Sequence, residues 1–436
     1  MGYTHFNRIT IAYSSRKAAV RVIIAPVFRR YLRFMLAKFI DAVAFVPQGE
    51  AVANLRIGRG AVDGIRVHIA IIENRLASGA IGKAECDKLA SLFRVVAAER
   101  SPLVLFIDSA GARVSEGLPA LGAFRRMFAA AVAASLSGAK LATVLGTNCF
   151  GGASMLAALC GVRYFQPRTR LAMSGPSILA SSAGATAIDE SFRAIADVTI
   201  GTEGRIKLDA SHQRFSGALT LPTMPAPLEV QAKLLARLPT SLNRSRVVER
   251  VERKDLALLY PKGYQLEETD GIVRGRAESG QDSVPTYLLG SIDKRGMTAA
   301  RITQMTSDLI AMLASPRPAQ IDLLFDCETH STSLDDEKVM LSGYLANFSQ
   351  VLYLLRAAGW RVQTVVMGKL GGGIYVALAS MSDELNVIYG CEIQLLPSKA
   401  ITAILGDNSA SSFSFADYAA AGVAERELRI GVVQGV

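Results

Sequence analysis

Two stretches of this 436-residue chain could do chemistry with backbone amides rather than with side chains. Asp108-Ser109-Ala110-Gly111-Ala112-Arg113 follows the apolar run Leu103 to Ile107. Cys149-Phe150-Gly151-Gly152-Ala153-Ser154 follows a second apolar run, Lys140 to Leu145. Each reads as a glycine turn at the carboxyl end of a buried strand, opening into a helix. Two such turns can aim paired N–H groups into one crevice, which is what a developing oxyanion requires. The plainer alternative is that these glycines only let helices pack closely on strands.

The elements that would position these turns can be read on both sides. Upstream, Ile57–Ala61 and Ile65–Ile72 read as a hairpin with Asp63-Gly64 at its bend. The small-residue loop Ser78 to Gly82 then enters a helix over 83–100, and could let a bulky ligand approach the backbone at Ser78-Gly79. Between the two turns lies an Ala-rich helix, Leu118 to Ser137, and a third piece closes with Leu171-Ala172-Met173-Ser174-Gly175-Pro176. From Gln213 to Gly280 prolines punctuate the chain, and Asn243 to Lys254 reads as an exposed charged helix within a connection. Thereafter the plan repeats: helix 297–315, strand 321–325, turn 326–333, helix 341–358, strand 362–367, and Gly368 to Gly373 opening another helix. An internal duplication is expected.

Composition narrows the function classes. Half the residues are hydrophobic and 20% are charged, enough apolar material for two ordinary cores. No uninterrupted apolar run is long enough to span a membrane. The five cysteines are scattered and never in a CxxC pair, which fits reduced thiols and a cytoplasmic location. No His/Asp/Glu cluster has metal-ligand spacing, so no metal is expected. The net charge of +10 points to an anionic partner. Nucleic acid is a poor candidate for want of a basic stripe with interleaved aromatics; a phosphate-bearing coenzyme or an acidic carrier protein fits. Much of the charge lies in a basic helical segment, residues 1–50, read either as a surface for a membrane or carrier or as a docking helix.

The order of hairpin, small-residue loop, Asp-Ser-x-Gly-x-Arg, Gly-Gly-x-Ser and Ser-Gly-Pro resembles the carboxyltransferase branch of the crotonase superfamily. Within it the chain is most similar to the β subunit of biotin-independent malonate decarboxylase. That similarity runs on through Gly184, Asp189, Arg193, Thr199 and Gly204 to Arg205. The second half resembles the γ subunit through Asp326 to Glu337, Gly343-Tyr344-Leu345-Ala346, Gly359, Gly368, Gly372-Gly373 and Asp383-Glu384-Leu385, as if β and γ were fused. The resemblance implies an α/β fold of two tandem ββα superhelical, crotonase-like domains, here 51–245 and 246–436. It also implies an acyl thioester held between halves, and a homodimer in which the first half of one protomer faces the second half of another, unless one chain pairs its own halves.

The implied reaction is decarboxylation of a malonyl thioester, linked to coenzyme A or to an acyl carrier protein, giving an acetyl thioester through an enolate. No covalently bound cofactor is implied. Ala110-Gly111 and Gly151-Gly152 are assigned as the oxyanion arms, each followed by a helix whose N-terminal dipole points at the same oxygen. Ser174-Gly175-Pro176 resembles the segment lining the acyl pocket, with Ser174 to orient the departing carboxylate. Where malonate-decarboxylase members often carry a glutamate after that proline, this chain has Ser177. Arg113 could hold a carboxylate or a coenzyme phosphate, or pair with Glu116. In the second half Thr329 stands where the family has a glycine, leaving Gly372-Gly373 as a single arm or a wall. His330 and Tyr375 are the candidate proton donors to the enolate carbon, with a merely exposed loop histidine as the alternative for His330. Two other functions fit the same residues: a subunit of a biotin-dependent acyl-CoA carboxyltransferase, and a non-catalytic scaffold that binds an acyl carrier.

Overall fold

The computed structural model describes residues 25–184, 190–239, 248–278, 286–315, 319–395 and 413–430. The first half contains α1 (Ala25–Ala42), β1 (Val46–Pro47), β2 (Leu55–Val62), β3 (Ile65–Ile72), α2 (Lys83–Glu99), β4 (Leu103–Ser109), α3 (Leu118–Leu136), β5 (Leu141–Phe150) and α4 (Gly152–Ala158). It continues through β6 (Val162–Phe165), β7 (Arg170–Ala172), α5 (Pro176–Ser182), α6 (Glu190–Ile200), α7 (Thr202–Leu208), β8 (His212–Arg214) and α8 (Pro227–Arg237). The strands form one sheet in the order β1-β2-β3-β4-β5-β6-β8, with β7 paired to the end of β5. The expected hairpin is β2–β3, antiparallel, with Asp63 and Gly64 both at positive φ in its bend. From β3 onward the pairs are parallel, as buried apolar strands joined by helices require.

The second half contains β9 (Glu249–Arg250), α9 (Lys254–Leu259), β10 (Tyr264–Thr269), β11 (Ile272–Ala277), β12 (Thr286–Ser291), α10 (Ala299–Leu313), β13 (Gln320–Phe325), α11 (Leu334–Lys338), α12 (Leu341–Ala357) and β14 (Arg361–Val366). Then follow β15 (Lys369–Gly371), α13 (Gly372–Ala379), β16 (Glu384–Ile388), β17 (Glu392–Gln394), α14 (Phe415–Ala421) and β18 (Arg426–Leu428). Its sheet runs β18-β16-β14-β13-β12-β11-β10-β9, with β15 and β17 paired apart. The duplication is therefore physical. β3, α2, β4, α3, β5 and α4 recur as β12, α10, β13, α12, β14 and α13, and the β5–β7 pair recurs as β15–β17. This is a two-part α/β plan, as the resemblance implies.

Two expectations fail along the connection. Residues 264–277, read as loose, form the β10–β11 hairpin on the edge of the second sheet. The charged run read as one helix is a short strand at 249–250 and a helix only from Lys254; its first part, 243–247, lies outside the described residues. Alternating residues such as Leu266, Val273 and Ala277 are buried in that hairpin, a period-2 signal hidden among the charges.

One apolar core runs through both halves: Leu121, Phe124 and Phe128 of α3 share it with Leu345, Phe348 and Leu352 of α12. Polar stitches cross the same seam. Arg125 on α3 donates from Nε to Ala379 O at 2.7 Å, capping α13, and Gln350 Nε2 donates to Ser135 Oγ at 3.1 Å. α8 hydrogen-bonds into the second half through Gln231 to Thr303 O (2.9 Å) and Tyr344 OH to Leu234 O (2.9 Å). The two halves of one chain thus pack against each other. Met35 and Phe39 of α1, with Val43 just after it, pack on the outer face of the first sheet, the Phe39 and Phe106 rings 5.3 Å apart; this fits the docking reading for that end of the helix, while residues 1–24 lie outside the described set. No helix among the described residues is long and apolar enough to cross a membrane.

Candidate functional site

The two glycine turns meet at the seam. A Cβ placed on Gly151 would lie 3.7 Å from Gly111 Cα, so the bends face each other rather than apart. A cavity of about 490 Å³ opens beside them. Its walls include Ser78, Ala110, Ala112 and Gly152 from the first half, Ser174 to Ile178, and His330, Gly372 and Gly373 from the second.

Which amides reach that cavity differs from expectation. Ala110 N–H donates to Ser78 O at 3.0 Å, and Gly151 N–H to Met173 O at 3.1 Å. Gly111 N–H is held by Ser109 Oγ at 3.1 Å, and Gly111 is not in the cavity wall. Three of the four assigned donors are thus committed to building the bends. Ala112 is the residue of that bend that keeps its amide open. Ile81 N–H donates to Gly111 O (2.8 Å) and Arg113 N–H to Ile81 O (2.9 Å), a parallel bridge that turns Ala112's own amide away from Ile81. Gly152 opens α4 ahead of the first intrahelical bond, which Ser154 N–H makes to Gly151 O at 3.0 Å. Among the described residues neither the Ala112 nor the Gly152 amide has a partner, and both residues line the cavity. A Cβ on Gly152 would run into the Phe124 ring, so only glycine keeps that approach open.

The loop before α2 is over-determined. Ala77, Ser78 and Gly79 all have positive φ, and a Cβ on Gly79 would strike Asp108 O. Gly79 is therefore a packing glycine, whereas Ser78 lines the cavity. Asn54, which carried no recognisable sequence signal, grips both ends of the loop: Nδ2 donates to Leu76 O (3.0 Å) and Ala80 O (2.9 Å), and Oδ1 accepts Leu76 N–H (2.8 Å). Arg113 borders the cavity, but its guanidinium is spent on Glu116 (2.6 Å), Glu85 and Ala80 O (2.8 Å). Its Glu116 pairing is the expected alternative, and binding a substrate anion would require breaking the buried Glu85 contact.

The Met173–Ser174 wall is fastened by a fully buried ion pair that joins two residues noted separately in the sequence. Glu337 Oε1 accepts Ser174 N–H at 2.8 Å, and Arg205 donates to Glu337 Oε2 (3.3 Å), Glu337 O (2.7 Å) and Leu171 O (2.9 Å). Burial pushes the Glu337 carboxyl up to about 7, against the pull of Arg205 and the backbone donors. Burial likewise brings Arg205 down to about 10. Ser174 Oγ is buried without a partner, a polar atom left over in the wall it was expected to serve. Asp108 is buried under the first bend and accepts Asn148 N–H at 3.1 Å; burial raises its carboxyl to about 6.

In the second half the corresponding bend is closed. Met297 N–H donates to Thr329 O and Ser331 N–H to Met297 O, so Thr329 and His330 stand where Gly111 and Ala112 stand in the first half. Gly372 shares the positive φ of Gly151. Gly373 N–H, the counterpart of Gly152 N–H, donates to His330 Nδ1 at 3.0 Å. His330 is buried rather than exposed, and burial pushes it down to about 4. It is neutral at pH 7 and is not the general acid the sequence suggested. Tyr375 is also removed: it is fully buried, donates its hydroxyl to Val423 O at 2.9 Å and does not border the cavity. Among the described residues no group of His, Cys, Asp and Glu could hold a metal.

Two bends sharing one cavity is the arrangement on which the comparisons bear. Residues 44–218 match the carboxyl transferase domain. The chain is 30% identical over 127 residues to the methylmalonyl-CoA carboxyltransferase 12S subunit of Propionibacterium freudenreichii subsp. shermanii, 29% of this chain and 24% of that protein. It is 24% identical over 377 residues to a putative propionyl-CoA carboxylase beta chain of Bacillus subtilis strain 168, 80% of this chain and 71% of that one. The stretches matched in the first of these relatives span about a quarter of their length. Among solved structures, a Pseudomonas malonate decarboxylase hetero-tetramer in complex with malonate aligns at 22% identity and TM-score 0.37, over 44% of this chain and 77% of that one. The carboxyl transferase match covers both glycine turns, the loop at Ser78 and the Ser174 wall.

Proposed function

We propose that the chain decarboxylates a malonyl thioester carried by coenzyme A or an acyl carrier protein. The reading is carried by one observation: in the cavity at the seam, the first-half arm leaves the Ala112 and Gly152 amides open, while the second-half arm is shut. Breaking the bond between the carboxylate carbon and C2 sends its electron pair onto the thioester as an enolate, and CO2 departs. Two amides aimed at the thioester oxygen, with α4 adding its N-terminal dipole, stabilise that charge in a largely apolar, water-poor setting. The enolate is then protonated at C2. Neither His330 nor Tyr375 supplies that proton, so water entering from the adjoining cavity, which shares Ile178, His330 and Thr332, is the donor.

Biotin-dependent carboxyl transfer is the second reading, favoured by relatives named biotin-dependent acetyl-/propionyl-coenzyme A carboxylase beta6 subunits. Incubation with malonyl-CoA, without biotin, distinguishes the two. Release of acetyl-CoA is expected; conversion only when biotin is added to accept the carboxyl group would establish transfer instead. Gly152→Val should abolish turnover. An unchanged partner phenotype in that variant would instead favour a non-catalytic acyl-carrier scaffold.

A further inference from the structure

His330 does more than fill space in the second half. Its Nδ1 accepts Gly373 N–H at 3.0 Å and sits 3.1 Å from Thr329 Oγ1. An imidazole nitrogen that accepts a backbone N–H carries no proton, so the neutral ring must hold its proton on Nε2. Nε2 has no hydrogen-bond partner among the described residues and is not among the sealed, unpartnered atoms, while His330 lines the cavity. The second-half arm thus offers a side-chain donor where the first half offers a backbone one. α13 lies behind it, and its dipole polarises the imidazole through the Gly373 amide.

We propose that His330 is a tautomer-locked neutral donor whose Nε2–H binds the carboxylate of a malonyl-class substrate. The second half then recognises the group that leaves, while the first half stabilises the charge that remains. The substrate class rests on the decarboxylase reading; the tautomer and the donor role do not. No proton is transferred, so His330 contributes no titration step near neutrality. The groups named around it, Thr329 and the Gly373 amide, are uncharged.

The test uses the full chain labelled with 15N-histidine and a long-range 1H–15N spectrum, His330 being assigned by its loss in His330→Gln. The expected pattern is an Nε2–H tautomer unchanged between about pH 6 and pH 8, whose Nε2 resonance moves on adding free malonate and not on adding acetate. His330→Ala should weaken malonate binding about tenfold or more, whereas His330→Gln, whose amide can both accept from Gly373 and donate to the cavity, should recover most of it. An Nδ1–H tautomer, a titration near neutrality, or a resonance indifferent to malonate would overturn the proposal. If malonyl-CoA is not decarboxylated but malonate still shifts this resonance, the donor role stands and only the assigned reaction falls.

Discussion

The two halves use the same bend twice and leave it in opposite states. In the first, the residue after the turn glycine is Ala112, too small to reach the facing amide, and Gly152 N–H stays open. In the second, the corresponding residue is His330, and its ring accepts Gly373 N–H. The bends differ in where the left-handed residue falls, Gly111 in the first and Glu328 in the second, but share a buttress. Asp108 and Asp326 each accept an amide from the following strand, from Asn148 at 3.1 Å and from Lys369 at 3.0 Å. The side chain at the corresponding bridge position therefore decides whether a duplicated arm offers an amide or an imidazole.

The largest effect is expected where the halves are fastened together. Glu337→Ala leaves Arg205 charged and unpaired in a fully buried site, and should cost about 3–5 kcal/mol in denaturant unfolding while loosening the Ser174 wall. A loss under about 1 kcal/mol would show that the ion pair does not hold the seam. Giving the first half the second half's plug, Ala112→His, should lower kcat/KM about 100-fold, as removal of one oxyanion donor does, with little change in melting temperature. Unchanged turnover would mean that the Ala112–Gly152 arm is not where charge develops.

Asp108 supplies a pH signature for the first bend. Its folded pKa of about 6 lies above the ordinary 3.8, so the native state holds the proton more tightly. Stability should fall by about 3 kcal/mol as pH rises from about 4 to about 6. Asp108→Asn should flatten that decline in urea titrations; parallel profiles would show that the carboxyl ionises freely in the fold. The smallest effect is expected from the mirror glycines. A Cβ at Gly152 meets the Phe124 ring, whereas one at Gly373 meets the flexible tip of Met173 at 2.5 Å. Gly373→Ala should change kcat/KM by less than about tenfold, and Gly152→Ala by more. Equal losses would erase the distinction between the arms.

Much of the frame was legible in the sequence, because strand runs, helix spacing and glycine turns are local signals. The hairpin at Asp63-Gly64, the two turns and the repeated order of elements all lie where the pattern put them. The β10–β11 hairpin was obscured by alternating charges on its exposed face. Within the site, Ser78, Ala110, Gly151, Gly152, Ser174, Gly175, Pro176, His330, Gly372 and Gly373 do gather around one cavity, while Gly79, Gly111 and Tyr375 lie outside its wall. Asn54 and the Arg205–Glu337 pair act across 22 to 132 residues of chain, separations at which spacing carries no information.

By itself, the sequence determined that two strand–turn–helix units exist and that their turns can expose amides, since φ preferences and apolar periodicity are properties of neighbouring residues. Only the tertiary structure decided which amides stay free. The Ala110, Gly151 and Gly373 amides go to acceptors that the packed chain brings to them, Ser78 O, Met173 O and His330 Nδ1, all from other segments.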